Sequence, residues 1–420
     1  MRPYEPYAGQ GCNVLIHAHF STFTQMTYTG TDKLIIALTW FYLVAFSLLS
    51  MTGWATPLMF LITILVLVNI NFKMEIFTFH LITMQFCLFC YISAFWAMNG
   101  RLSIAVGSAI FQTLISLWIF YAYYQKLPDV RILFKITMWS GYFVVMYTYF
   151  FYGVSDIVSS EETDRLNTEF LNVNVLGTMA ALSMVMHFYF FLFEKKSADI
   201  LMMIPAVFII GATQSRKALI SVILGILILY TLKQYRKNRN NLLPFIKIIL
   251  FFIFFIALMF FLSKTGMFAG MTSRMEGLIA SITGEGDADS SAIVRKFYRQ
   301  LGWIQFSRTP LAGIGIANAP ILTNIAMGKS AYLHCNYAEM AADGGVLGLI
   351  SYYIMFLYVL FKEIKFSKFD NSAVLVITLI IIRLISDWGS VSYYNKLTYF
   401  YLMIYYLHLN TMRKRYPQIK

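Results

Sequence analysis

Charge is what this sequence has least of. Of its 420 residues only 13% are Asp, Glu, Lys or Arg, against 59% apolar and 17% aromatic, and its mean hydropathy is +0.65. A water-soluble domain carries about 25% charged and ~45–50% apolar residues, so that class is excluded. Proline is also scarce, with nine residues, and the long runs of Leu, Ile, Val and Phe exclude a disordered, collagen-like or solenoid chain. The four cysteines, Cys12, Cys87, Cys90 and Cys335, are too few and too scattered for a disulfide framework. Cys87 and Cys90 form a C-x-x-C inside an apolar run, where a redox or zinc role lacks exposure and partners and packing is expected. No cleavable signal peptide is expected, because Met1 to Lys33 is polar and aromatic and no small-residue cleavage site follows the first apolar run.

What remains is an all-α polytopic integral membrane protein. A spanning helix needs ~20 apolar residues. Breaks of charge, Pro, Gly and Asn divide the chain into twelve candidate spans: 34–51, 55–71, 76–98, 102–124, 132–152, 172–193, 198–213, 217–232, 244–263, 345–361, 372–388 and 393–411. The spans 198–213 and 217–232 are short and adjacent, the pattern of a broken or re-entrant pair.

The net charge of +13 would suit a nucleic-acid binder, but the cations are spread over loops between spans, so they read as a topology signal with attraction to anionic headgroups, and no nucleic acid is expected. Alternate loops carry Lys73, Lys126 and Arg131, Lys195 and Lys196, Lys233 to Arg239, and Lys362, Lys365 and Lys368. The termini join them through Arg2, Lys33 and Arg413 to Arg415, so both ends are expected to be cytoplasmic. The expected organisation is a cytoplasmic segment 1–33, spans one to nine over 34–263, a large outer-face loop 264–344, spans ten to twelve over 345–411, and a basic cytoplasmic tail 412–420.

The loop 264–344 breaks the cytoplasmic bias with Lys264, Arg274, Arg295, Lys296, Arg299, Arg308 and Lys329. Long loops are partly exempt from the rule, and an anionic ligand on the outer face would explain the charge. Ile293 to Ser307 has the spacing of an amphipathic helix, with Ile293, Val294, Phe297, Tyr298, Leu301 and Ile304 on one face and Arg295 and Arg299 one turn apart. Pro310 ends it, and Gly313 and Gly315 mark a turn before a second short helix. Upstream, Asp287 and Asp289 sit in a Gly-rich acidic stretch that reads as a solvated loop before it reads as a metal pair.

Five of the six histidines have structural readings: His17 and His19 near the start, His80 and His187 inside spans, and His408 near a cytoplasmic end. His334 stands outside the apolar runs, in YLHCNYAEMAADGGVLG over 332–348. That stretch resembles the signature of the O-antigen polymerase and ligase superfamily (Wzy/WaaL-like transferases of lipid-linked oligosaccharides), with His334, Asn336, Tyr337, Glu339, Gly345 and Gly348 in pattern. Thr213 to Leu219 resembles the superfamily's outer-face Ser-Arg motif through Ser215 and Arg216. Arg295 to Gly315, with Trp303, Pro310, Gly313 and Gly315, resembles its R…P-x-x-G-x-G element. The three follow in the right order between 213 and 348; the ligase branch often has Asn-Glu after the His, where this chain has Cys335 and Asn336.

The resemblance implies a GT-C-like helical bundle in a bacterial inner membrane, with the active site on the periplasmic side. It implies polymerisation of undecaprenyl-diphosphate-linked repeat units into O-antigen or capsular polysaccharide, with lipid-linked donor and acceptor, no metal, no cofactor, and a flippase and chain-length regulator as pathway partners. The chemistry fits. Negative charge grows on the diphosphate as the anomeric bond breaks, and guanidinium groups bind phosphate bidentately, which makes Arg216 and Arg295 candidates. The acceptor hydroxyl needs a proton acceptor, and His334 is the candidate base. Lys217, Arg299, Asn336, Tyr337 and Glu339 are candidate binding residues, with Asp343 beside them. The absence of acidic residues from Ser50 to Thr56 argues against a divalent-ion site in the first outer loop. Two alternatives stay open: a ligase moving finished polymer to a lipid A core, and a transporter or flippase of lipid-linked sugars, against which the chain lacks a two-fold internal repeat. Arg383 and Asp387, one turn apart in an apolar run, are expected to neutralise each other.

Overall fold

Wherever a described stretch runs apolar without interruption, it is helical, as it must be where lipid leaves no other partner for backbone polar groups. The structure, a computed structural model, describes residues 28–48, 52–158, 166, 171–237, 246, 276 and 290–419. Its helices are α1 (Gly30–Ser47), α2 (Thr52–Asn69), α3 (Thr78–Ile92), α4 (Gly100–Tyr124), α5 (Arg131–Val158), α6 (Val173–Glu194), α7 (Ala198–Thr213), α8 (Arg216–Lys237), α9 (Ser290–Arg308), α10 (Ala319–Met327), α11 (Asn336–Phe366), α12 (Asn371–Ser386) and α13 (Lys396–Arg415). No strand occurs among the described residues. Six helices there are long and apolar enough to cross a membrane, and α2, α7 and α12 add shorter apolar segments. The chain is an all-α polytopic membrane protein.

Every expected span meets one of these helices except 244–263, which lies outside the described residues, as do Asp287 and Asp289. Buried hydroxyls follow the lipid logic too: Thr39, Thr63, Thr83, Thr137, Thr148 and Thr378 each donate to the carbonyl four residues back. Helix starts are capped by Asn99, Asn172, Asp370 and Asn395, each accepting an amide two residues on. The expected short pair is uneven: α7 has 16 residues, whereas α8 has 22 and is long enough to span; Gln214 and Ser215 join them and both pack on α6.

Two differences from the expected pattern matter for the site. The tenth span does not begin at Gly345. Its helix α11 begins at Asn336 and breaks at Gly345, where φ is 60° and ψ −156°. The expected amphipathic helix forms as α9, but its apolar side divides: Tyr298 is buried and Leu301 half-buried, while Ile293, Phe297 and Ile304 are exposed. The cause is that α9 packs on α11 through a narrow line, where Gly302 lets the chain approach Leu333 and Ala338.

Three apolar clusters form. The largest joins α1–α5 to α11–α13, and a second unites α5, α6, α7 and α8. The third is small and separate: Tyr298, Ile314, Ala319, Leu322, Leu333, Cys335, Ala338 and Ala342. It gathers α9, α10 and the start of α11 into one unit ahead of the Gly345 break.

Candidate active site

The break in α11 is closed by another piece of chain. Beyond it, the amides of Val346 and Leu347 donate to the carbonyls of Pro310 (2.8 Å) and Leu311 (3.1 Å); before it, the carbonyls of Ala342 and Asp343 accept from the amides of Ile314 (3.0 Å) and Gly315 (2.8 Å). Four of the groups around the break thus find partners in 310–315, in keeping with the demand for paired buried backbone. Side chains have no room in this clip. A Cβ on Gly313, whose φ is 65°, would stand 2.3 Å from the carbonyl carbon of Asp343, and one on Gly345 would stand 2.5 Å from that of Leu311. Asp343 completes the clip by accepting the Ala317 amide at 2.9 Å. Pro310, Gly313, Gly315 and Gly345 therefore form one structural joint.

What the joint holds up is the loop carrying His334. This residue has φ 57°, the left-handed region that a non-glycine side chain rarely adopts. Backbone anchors on either side hold it there. The Leu333 amide donates to Glu339 Oε2 at 2.7 Å, and the Asn336 amide to the carbonyls of Asp387 (2.7 Å) and Ser390 (3.1 Å). The imidazole lies beside the Tyr332 ring, centroids 4.1 Å apart, and parallel to Tyr298 at 6.1 Å. Among the described residues neither ring nitrogen has a hydrogen-bond partner.

Positive charge faces this ring. Burial, then Arg295, Lys217 and Arg299, push the His334 pKa down to about 4. Arg295 and Arg299 project from α9 one turn apart. Lys217 comes from the first turn of α8, its chain passing the 387–393 turn, so that a Cβ on Gly389 would lie 3.1 Å from its Cδ. Burial and its neighbour Arg295 lower the Arg299 pKa as well, although the nearby Cys335 opposes them. Arg216 stands one residue before Lys217, half-buried at the start of α8, where the helix dipole adds to the positive potential. The structure thus brings His334, Arg295, Arg299 and Lys217 together from three separate stretches, with Arg216 beside Lys217.

The remaining candidates sit behind that group. Asn336 is fully buried; its Oδ1 accepts the amides of Ser392 (2.9 Å) and Tyr393 (3.2 Å), and its Nδ2 donates to the Tyr353 hydroxyl at 2.8 Å. Tyr337 donates to the Leu384 carbonyl at 2.8 Å and stacks on Tyr353 with centroids 4.7 Å apart. Glu339 is buried against the Leu333 amide. Arg383 and Asp387 pair as expected, at 2.7 Å, and Asp387 also receives the hydroxyls of Ser392 (2.8 Å) and Tyr353 (3.2 Å). The 387–393 turn belongs to the site yet reads in the sequence as a plain gap between spans; its signal, the Gly389-Ser390 break beside an intramembrane ion pair, is weak. Among the described residues no group of three His, Cys, Asp or Glu is gathered as a metal ligand set.

Residues 200–353 match the family described as O-antigen ligase. That stretch is similar to the O-antigen polymerase and ligase superfamily. No curated protein matches the chain in a sequence search. The matched stretch spans α7, α8, α9, α10 and the front of α11, so it takes in Arg216, Lys217, Arg295, Arg299, His334 and the whole Gly345 joint. The match supports polymerase- or ligase-type function in lipopolysaccharide synthesis, and with the apolar helices it fits a multi-pass protein of the inner membrane.

Proposed function

We propose that this protein polymerises oligosaccharide repeat units carried on undecaprenyl diphosphate, at the outer face of the membrane, by inverting glycosyl transfer without a metal. The observation that carries the reading is an imidazole on a left-handed backbone, packed against Tyr332 and Tyr298 and set near Arg295, Arg299 and Lys217. The cations suit the donor's diphosphate, and Arg216 adds to them at the start of α8. The acceptor hydroxyl attacks the anomeric carbon from the face opposite the diphosphate, so the new glycosidic C–O bond forms as the old C–O bond to phosphate breaks. The hydroxyl proton passes to His334, the electron pair leaves with the diphosphate, and the imidazolium later releases its proton to water.

A pKa near 4 makes His334 a weak base while the site is empty, since the three cations disfavour its protonated form. A bound diphosphate cancels that repulsion and restores basicity toward the ordinary ~6.5. The base is thus strongest when the donor is in place. Asn336, Tyr337 and Glu339 act in this reading by holding the loop and the 387–393 turn, while the side chains that meet substrate are His334, Arg295, Arg299, Lys217 and Arg216.

A second reading, ligation of finished polymer to a lipid A core, is favoured by the description of the matched family. It shares the donor and differs in the acceptor. Purified protein in lipid vesicles, given only lipid-linked repeat units, is expected to yield a ladder of products that His334→Ala abolishes. Transfer solely after addition of lipid A core would make it a ligase, and no transfer in either case would leave transport to be tested.

A further inference from the structure

The end of the bundle away from His334 holds another concentration of positive charge. It lies past the Gly345 break at the far end of α11, roughly 30 Å along the segment 346–366 at about 1.5 Å per residue. There the ends of α6, α8 and α11 and the start of α12 enclose a cavity of about 740 Å³. Lys195, Lys233, Arg236 and Lys368 line it, and among the described residues no Asp or Glu does. Loop cations that serve only as a topology signal need no common focus. These converge on one cavity, and two are fixed in its wall: Lys233 donates to the Leu192 carbonyl at 2.6 Å and lies 5.7 Å from the Phe193 ring, and Arg236 donates to Asn371 Oδ1. Lys195 caps α6 in a left-handed conformation. The rest of the lining is largely apolar, with Leu192, Phe193, Leu232 and Ile364.

A soluble anion would use the cations and leave that apolar wall unused; an amphiphile uses both. We propose that this cavity binds an anionic phospholipid, its phosphate held by the four cations and an acyl chain lying along Leu192, Phe193 and Leu232. The site is independent of the transferase reading, because it shares no residue with the His334 group.

The test uses the full chain purified in detergent and exchanged against equal amounts of phosphatidylglycerol and phosphatidylcholine, with retained lipid measured by mass spectrometry. Lys195→Gln with Lys368→Gln is the variant pair, since among the described residues neither lysine makes a hydrogen bond on which the fold depends. Lys73→Gln with Lys126→Gln removes two exposed cations elsewhere. Phosphatidylglycerol is expected to be retained in preference to phosphatidylcholine. Its affinity should fall about tenfold to thirtyfold in the first pair and less than about twofold in the second. Equal retention of the two lipids, or equal loss in the two variant pairs, would overturn the proposal. So would displacement of phosphatidylglycerol by inorganic phosphate at equal concentration, which would make this a site for a soluble anion.

Discussion

Two histidines flank the opposite ends of α11, and their surroundings could hardly differ more. His408 is buried with both nitrogens engaged, Nδ1 to Glu363 Oε1 at 2.9 Å and Nε2 to the Ser372 hydroxyl at 2.7 Å, and the chain of contacts runs on to Asp370 and Arg415. His334 has a strained backbone, two tyrosine rings, and three cations where His408 has a carboxylate. A buried polar group that is fully satisfied rigidifies a fold. One left with free nitrogens in a field that disfavours its charged form is available to a ligand that changes the field. On this comparison His408 locks the helices together, and under the proposed function His334 waits for an anion and a proton.

The largest effect expected from breaking the comparison is at His334. His334→Ala should lower turnover by about 10²-fold or more while the protein extracts and melts normally, because general-base help is lost without disturbing a buried pair. His408→Ala should do the reverse, lowering thermal stability while the folded fraction keeps most of its turnover, because Glu363 is left buried without its partner. Turnover in a vesicle assay beside a melting curve separates them, and matching losses in both columns would erase the distinction. Next in size is Gly313→Ala. The added methyl meets the Asp343 backbone at a positive φ, with strain on the order of 1–3 kcal/mol before any displacement of the loop. It should reduce activity without touching a charged group, whereas Ala at the exposed Gly328, with open space around it, should cost far less although its φ is 67°.

A smaller and more diagnostic effect concerns pH. His334 must be neutral to accept a proton, so activity is present above its pKa and is lost as pH falls through it. With the pKa near 4 in the empty site, the acid limb of kcat/KM should lie well below the ordinary histidine range. Removing a cation eases protonation and raises that pKa. Arg299→Gln should therefore move the acid limb upward, besides lowering the rate about tenfold through weaker charge stabilisation. An acid limb that stays put in Arg299→Gln would show that the guanidinium acts on something other than the imidazole. Chelation of divalent ions should leave the rate unchanged if these fixed cations provide the whole of the charge stabilisation, and a loss restored by magnesium would show that they do not.

Much of this arrangement is legible in the sequence because it depends on patterns that lipid imposes. Apolar run length locates the helices, and excess cations in 264–344 point to an anion there. His334 stands out by position, as the one histidine beyond the first segment that lies outside an apolar run. What stays hidden is what each neighbour does. Asn336, Tyr337 and Glu339 follow His334 so closely that they read as further contacts for substrate, but a helix starting at Asn336 turns them inward, onto the 387–393 turn, Tyr353 and the Leu333 amide. Gly345 reads as the start of a span and is the middle of a broken helix, a difference that depends on backbone pairing with 310–315, thirty residues upstream. Lys217 meets His334 only through tertiary packing, which no local pattern encodes.

The smallest expected effect tests that division between side chains that meet substrate and side chains that hold them. Glu339 accepts the Leu333 amide through Oε2, and an amide oxygen accepts the same bond. Glu339→Gln should thus keep the loop in place and change turnover by less than about threefold, the exchange of one carboxyl acceptor for an amide oxygen costing roughly 1 kcal/mol or less. Glu339→Ala leaves the Leu333 amide buried and unpaired, and should lower turnover further by letting His334 relax out of its left-handed conformation. If Gln is as damaging as Ala, the carboxylate itself is needed, and Glu339 would move from the supporting layer into the reaction beside His334. If both are silent, the strained backbone is held by the 387–393 turn alone, and the contrast with His408 would rest on charge rather than on geometry.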